Sequence, residues 1–381
     1  MRSADTLLNA EPGALNEKQM LSLSKSGLIQ KMVTSRNAID GSALDLHLSN
    51  EAWQLERTSK LRSGERVRDL LVEKASMGAK AVNLEREVLQ KGKVYIVRLR
   101  EIVRFAKFED KLGLYGRASG KSSVGRVDVL TRLLVDYTPK YDEIPPDYNG
   151  ELFLEVIPIS FSIKVKEGVS LHQLRVFKGK PELSLIQSED LSRCAPMLYY
   201  DNGKPVEGSE GILRVNLKPD KTLPGRDDIV AFVAKDNTPD LDLRESREKP
   251  KADPKQFWEP ERRSEFGLSM KTDKFYILRS KERLFVPNDV TVSCVAYSEN
   301  LGELRIHYAG FAHPNFGRRR EDEKIGAPLI FEARCHTFGV VIRDNEQFAK
   351  IEFYRMSQAS KKTSQYTGQE LKLSNFFRDW S

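Results

Sequence analysis

Apolar and polar residues alternate along most of this chain, and a period of two is the pattern of half-buried strands. It predicts strands at DLHL (45–48), KVYIVRL (93–99), ELFLEVIPISFSIKV (151–165), QLRVF (173–177), TVSCVAY (291–297), ELRIHYAGF (303–311), APLIFEA (327–333) and FGVVIRD (338–344). Each is rich in β-branched or aromatic residues and bounded by Gly, Pro, Asn or Asp. Helical spacing is confined to Asn16–Ser26 and Gly64–Ala75, where Val67, Leu70, Leu71 and Ala75 make one stripe. The stretch 236–265 is charged and contains proline, so it reads as an exposed excursion.

The strand segments recur in pairs and in order, which marks an internal repeat. KVYIVRLRE (93–101) returns as KFYILRSKE (274–282), and GSALDLHL (41–48) has a weaker echo in GILRVNLK (211–218). ELFLEV (151–156) pairs with LIFEAR (329–334), each an apolar strand interrupted by one glutamate. From Glu155 it is 18 residues to QLRVF, and from Glu332 it is 18 residues to KIEFY (350–354). The expected fold is therefore mainly β, two tandem copies with a few short helices. They join near 185–205, giving domains 1–190 and 191–381.

Composition narrows the function classes. The chain has 381 residues, enough for two domains that each bury a core, and is 39% apolar and 31% charged, as globular proteins are. It holds no apolar run long enough to cross a membrane, and its N-terminus lacks the order of a signal peptide. Three scattered cysteines, Cys194, Cys294 and Cys335, make no disulfide framework and point to a reducing cytoplasm. The net charge of +7 suits polyanionic partners such as nucleotide phosphates. The one tight basic cluster, Arg318 to Arg320, is followed at once by Glu321, Asp322 and Glu323, and no nucleic-acid-binding motif appears.

The segment GRASGKSSVGR (116–126) poses the chemical question, because Gly120-Lys121-Ser122 looks like the end of a P-loop. That motif needs an earlier glycine at position 115, which is Tyr115, and a helix after the loop. The following VGRVDVLTRLLVDY is valine-rich and has no helical period, so a P-loop is excluded. Zinc-dependent deamination is excluded too, since no C-x-x-C and no H-x-E occur. His307 and His313 read as structural residues, and no G-x-S-x-G nucleophile elbow is present. What remains is a Gly/Ser loop with basic residues and, 33 residues beyond Ser122, the glutamate Glu155. Alternation places Glu151, Phe153 and Glu155 on one face of their strand, with Leu152 and Leu154 on the other. A carboxylate buried there either pairs with a cation, with Arg126 as one candidate, or carries a raised pKa suited to a general base.

These segments resemble a known family. GKSSVGRVDV (120–129) is similar to the G-R-S-S-L-x-R-x-G segment of dCTP deaminases, members of the trimeric dUTPase superfamily. IDGSALDLHL (39–48) resembles their I-x-x-x-S-x-D-L-R-L strand, and DYNGELFLEV (147–156) their P-G-W-x-G-x-x-x-L-E segment. NEKQMLSLSKSGLI (16–29) fits their short N-terminal helix, and SQYTGQ (364–369) resembles the K-Y-x-x-Q lid that closes over the triphosphate. The resemblance implies tandem dUTPase-like (β-clip) domains, hydrolysis of dCTP to dUTP and ammonia, and the duplicated, two-domain form of the family.

It further implies roles. Glu155 would activate water for attack at cytosine C4, Ser122 would hydrogen-bond near the reacting centre, and Arg126 would orient the water and Glu155. Lys121 and Ser123 would bind phosphate, and Tyr366 and Gln369 would belong to the lid. No metal, zinc included, would take part in the hydrolysis; Mg²⁺ would accompany the triphosphate. The implied assembly is a homo-oligomer with threefold or pseudo-threefold ordering of domains, with dTTP a possible inhibitor.

Departures from the family pattern set further expectations. Lys121 stands where arginine is usual, Gln365 where lysine is usual, and a longer stretch through TPKYDEIPP separates Ser123 from Glu155. In the second copy Glu332 persists, but AYSENLGEL (296–304) replaces the Ser-Ser-x-x-Arg run. One working site in the first copy is therefore expected, with a structural second copy that supplies the lid. Pro145 occupies the position of the dUTPase water-activating aspartate, which disfavours a dUTPase-like or bifunctional diphosphohydrolase unless Asp136 or Asp142 enters. A non-catalytic nucleotide-binding regulator is the remaining alternative.

Overall fold

In the computed structural model the described residues are 7, 10–35, 38–108, 113–179, 181–191, 196–207, 210–223, 228–244, 251–295, 304–306, 310–318, 325–335, 338–362 and 370–381. Tyr366, Gln369, Gln365, His307, Cys194 and most of AYSENLGEL lie outside them.

The repeat predicted from sequence is a repeat of strand pairing. In the first copy a mostly antiparallel sheet runs in the order Val129–Val135, Asn149–Pro158, Val94–Arg104, Ala43–Leu55, Ser170–Lys178, Leu114–Gly120, Glu143–Ile144. In the second copy the same scheme is split into two sheets. One has Ile229–Ala234, Phe275–Leu284 and Ala327–Cys335 as neighbours, and the other has Ile212–Arg214, Gln347–Arg355 and Val290–Val295. Glu155 is paired across the ladder with Ile96 and Glu332 with Ile277, the same position of the two K-x-Y-I segments. Flanking details repeat as well. The Tyr95 hydroxyl accepts from the backbone N–H of Gln90, and the Tyr276 hydroxyl accepts from that of Lys271. The buried carboxylates of Glu101 and Glu282 each accept a backbone N–H from the neighbouring strand, at His47 and Arg214.

Local chemistry explains the helices. Asn16 caps Glu17–Lys25 through the N–H groups of Lys18 and Gln19, and Gln19 returns a bond to the Asn16 N–H, a complete capping box. The second helix is Val67–Ala75, starting at the first residue of its apolar stripe and three residues inside the predicted span Gly64–Ala75, with Asp136 accepting the Val67 N–H there. Two expectations change. The strand predicted over 151–165 ends at Pro158 and resumes at Ile163–Lys164, the chain turning at 159–162. Within 236–265 the described residues 241–243 and 257–258 are not part of an exposed excursion. Leu241–Asp242 pairs in parallel with Ile163–Lys164, and Leu241, Leu243, Phe257 and Trp258 are buried. Their charged neighbours set the composition while a few large apolar residues set the packing.

That segment fastens the copies together. Trp258 and Phe257 stack edge-on against Phe161 of the first copy, at 5.5 and 5.3 Å between ring centres, and one apolar core contains residues of both copies. Polar groups are matched across the same boundary. Arg175, fully buried, donates to Thr291 Oγ1 at 2.7 Å and Ser293 Oγ at 2.5 Å, and burial pulls its pKa down to about 9. Arg117 donates to the Tyr354 hydroxyl at 2.9 Å, and Ser42 and Thr291 share a hydrogen bond at 3.1 Å. Burial of this extent fixes the two copies in one relative position, so a side chain of one can be held in register against a loop of the other.

Candidate active site

The strand Leu114–Gly120 runs antiparallel to its neighbours and delivers Lys121 to a single helical turn, Ser122–Gly125, before the strand Val129–Val135 begins. The turn closes through Gly125 N–H to Lys121 O and Arg126 N–H to Ser122 O, at 3.0 and 3.1 Å. No long helix follows, in accord with the exclusion of a P-loop. Ser122 and Ser123 are half-buried at the open end of the turn, whereas Val124, Gly125 and Arg126 are buried. Lys121 reaches Asp45 Oδ2 at 2.7 Å, so the loop's lysine is held on the aspartate of the D-L-H-L strand. The tail of the second copy touches this turn: Ser374 Oγ donates to the Ser123 carbonyl at 2.7 Å.

The structure brings Arg126 to Glu332 rather than to Glu155. The carboxylate of Glu332, in the second-copy strand Ala327–Cys335, rests on Gly125. A Cβ at position 125 would overlap that carboxylate, with its carboxyl carbon 3.0 Å away, so a larger residue there would push the end of the Glu332 side chain aside. Burial pushes the Glu332 pKa well above the ordinary carboxylate range; the Arg126 guanidinium opposes this shift and the Asp128 carboxylate adds to it. Cys294, on the strand Val290–Val295, is within electrostatic range of the same carboxylate.

Glu155 has other company. It is fully buried, as alternation implied; Thr58 Oγ1 donates to its Oε2 at 2.5 Å, and Arg132 Nη1 lies 4.0 Å from Oε1. Burial again raises its pKa; the Thr58 hydrogen bond and Arg132 draw it back, and Asp142 pushes it up. The long TPKYDEIPP stretch packs beside Arg132, with Tyr141 under its guanidinium at 4.8 Å. Asp142 takes the Leu133 N–H at 2.8 Å and lies 3.0 Å from His172 Nε2. Asp136 and Asp142, the two aspartates that could have served a dUTPase reaction, thus both hold structural partners. His313 is buried beside Asp40, 4.0 Å away, in a structural setting. Among the described residues no group of three or more His, Cys, Asp or Glu is arranged to hold a metal, and no helix is long and apolar enough to cross a membrane.

Comparison with known proteins agrees with the β-rich, two-copy fold. The model of the 2'-deoxycytidine 5'-triphosphate deaminase N-terminal domain matches residues 11–180, and that of the C-terminal domain matches 179–377. The chain belongs to the dCTP deaminase family. Its fold superposes on the crystal structure of 2'-deoxycytidine 5'-triphosphate deaminase from Agrobacterium tumefaciens with a TM-score of 0.80 at 27% identity, over 92% of this chain and 97% of that one. No curated protein matches the chain. Family membership makes it a hydrolytic deaminase of the β-rich, two-domain kind, as the motifs implied. Sequence reasoning set Glu332 aside because its own copy lacks the Ser-Ser-x-x-Arg run. The signals for its contact with this turn were its equivalence to Glu155 and the glycine of SSVGR.

Proposed function

We propose that the chain hydrolyses dCTP to dUTP and ammonia in a site built by both copies, with Ser122 and Arg126 from the first and Glu332 from the second. The observation that carries this is the seating of the Glu332 carboxylate on Gly125 beside Arg126, buried and with a raised pKa. A base of this kind is poised to take a proton from water near neutrality and to give it up again. Glu332 removes a proton from the water that attacks cytosine C4. The same proton then passes to the departing amino group, which leaves as ammonia, while the remaining proton of the C4 hydroxyl moves to ring N3, so that the C4 carbonyl and N3–H of uracil form together. Arg126 orients water and carboxylate, and Ser122 hydrogen-bonds at the reacting centre. Glu155 is the corresponding carboxylate of the first copy, with Thr58 and Arg132 in place of the loop.

Lys121 and Ser123 bind the phosphates of the substrate, taken as its Mg²⁺ complex, with Lys121 a point charge where a fork would serve a bidentate contact. Tyr366 and Gln369 belong to the lid that closes over the triphosphate. Support comes from either side of them: Lys362 lies 3.5 Å from Asp40, and Glu370 is gripped by Arg279 and Arg283 at 2.8 and 2.7 Å. The chain works as a homo-oligomer with threefold or pseudo-threefold ordering of its domains, and dTTP, which shares the deoxyribose triphosphate, competes as an inhibitor.

Incubation of the purified protein with dCTP and Mg²⁺, with ammonia and dUTP followed together, tests the assignment. Equal release of both products is expected. Pyrophosphate release would instead favour a diphosphohydrolase, and no turnover would favour a nucleotide-binding regulator.

A further inference from the structure

Asp128 is an unusual residue for its place. It stands two residues after Arg126, where the G-R-S-S-L-x-R-x-G pattern has glycine, and its φ is +56°, in the left-handed region that glycine occupies freely. It is fully buried, and a carboxylate kept in such a setting needs a cation and hydrogen bonds to offset its lost hydration. Both come from outside its turn. Arg334 Nη2 of the second copy pairs with Asp128 Oδ2, and Ser160 Oγ donates to the same oxygen at 2.5 Å. Arg334 Nη2 also donates to Ser160 Oγ at 3.2 Å, and Nη1 donates to the Asp273 carbonyl.

The spacing gives this cluster its meaning. Arg334 lies two residues beyond Glu332 in one strand, so both side chains leave the same face. Arg126 and Asp128 are likewise two apart, and the pairs meet in order: Glu332 with Arg126, Arg334 with Asp128. A slip of the second-copy strand by one residue would break both contacts at once. We propose that the Asp128–Arg334 clasp, braced by Ser160, is a positioning element that sets the Glu332 carboxylate against the Ser122–Arg126 turn. This rests on the composite site proposed above. The duplicated chain thereby replaces a conformationally free glycine with an ionic latch between its copies.

The charged and titratable groups facing Glu332 are Arg126 and Asp128 from the turn and Cys294 from the adjacent strand, with Arg334 on its own strand. Asp128 pushes the carboxylate's pKa up and Arg334 is the counter-ion of Asp128, so removing one or the other acts on Glu332 with opposite sign, and that gives a test a purely structural role would not pass. Asp128→Asn keeps the shape and removes the negative charge, so the acidic limb of kcat/KM shifts to lower pH. Arg334→Gln leaves Asp128 uncompensated, so the limb shifts to higher pH. Each shift is roughly one pH unit, and each variant loses on the order of 10-fold to 100-fold in kcat with KM changed far less. The double variant Asp128→Asn/Arg334→Gln returns the limb towards its original position and loses less than the two singles together.

Thermal melts and circular dichroism establish that the variants are folded, and Ser160→Ala serves as a milder perturbation expected to lower kcat a few-fold. Parallel limbs, unmoved or moved the same way in both single variants, would overturn the clasp while Glu332→Gln remained inactive. Full turnover by Glu332→Gln would overturn the composite site itself, and the clasp with it.

Discussion

Two buried glutamates, Glu155 and Glu332, stand opposite equivalent isoleucines in two copies of one fold, and their surroundings differ in kind. Glu155 is closed over by its own copy: Thr58 bonds one oxygen, Arg132 sits at the other, and Tyr141 and Asp142 fill the flank. Glu332 looks out of its copy, onto a glycine and an arginine of the other. The same strand position thus holds a carboxylate enclosed by its own copy in one case, with one oxygen hydrogen-bonded and the other 4.0 Å from Arg132, and one presented across an interface in the other. Duplication lets the two copies diverge in this way, because a shared site needs one carboxylate and one loop rather than two of each.

The comparison breaks most readily on the carboxylates themselves. Glu332→Gln is expected to lower kcat for dCTP by roughly 10²–10⁴-fold, the contribution of a general acid–base group. Glu155→Gln should stay within a few-fold of the parent. Ammonia release by the two purified variants at saturating dCTP measures both. A collapse with Glu155→Gln alone would return the base to the first copy, facing a loop from a second chain.

The arginines give the next largest contrast. In the proposed site, Arg126→Gln removes a cationic donor beside Glu332 and should cost about 10²–10³-fold in kcat. Arg132→Gln, at a side chain that is 38% exposed beside Glu155, should change kcat less than about threefold. Steady-state kinetics of the pair ranks the two pockets independently of the glutamates. Smaller still is Gly125→Ala, whose added methyl displaces the Glu332 carboxylate; a loss of about 10- to 100-fold in kcat with little change in KM is expected. Ordinary activity in that variant would place the carboxylate elsewhere during turnover.

Much of this was legible in the chain, for reasons that can be named. Strand order and the repeat followed from a period of two and from K-x-Y-I recurring with its partners, since pairing preserves spacing within each copy. The burial of Glu155 followed from its apolar neighbours. What spacing within a copy cannot carry is contact between copies. Arg126 and Glu332 are 206 residues apart in sequence, and nothing in either segment says they meet. The packing of 241–258 was hidden for a related reason: Trp258, Phe257 and Leu241 are isolated among charges, and their partner Phe161 belongs to the other copy. Asp128 stands where the family pattern has glycine, and the reason for it lies in Arg334 of the other copy.

The smallest expected effect separates burial from chemistry. Both glutamates have folded-state pKa values raised above the unfolded carboxylate value, so the folded protein holds more protons than the unfolded chain between those two values. Stability from this source is fully present below the unfolded pKa and falls as pH rises through the window, because the native state must then ionise a carboxyl in a dry setting. Replacement by glutamine removes that penalty. At neutral pH Glu332→Gln should therefore melt higher than the parent, and the gap should close as the pH is lowered towards the ordinary carboxylate range. Glu155→Gln should show the same sign with a smaller gap, since Thr58 and Arg132 already favour the ionised form. Melting curves from pH 4 to 8 read both. A Glu332→Gln variant that is inactive and yet more stable would identify a residue held at that position for its chemistry; one that is inactive and less stable would make it part of the frame.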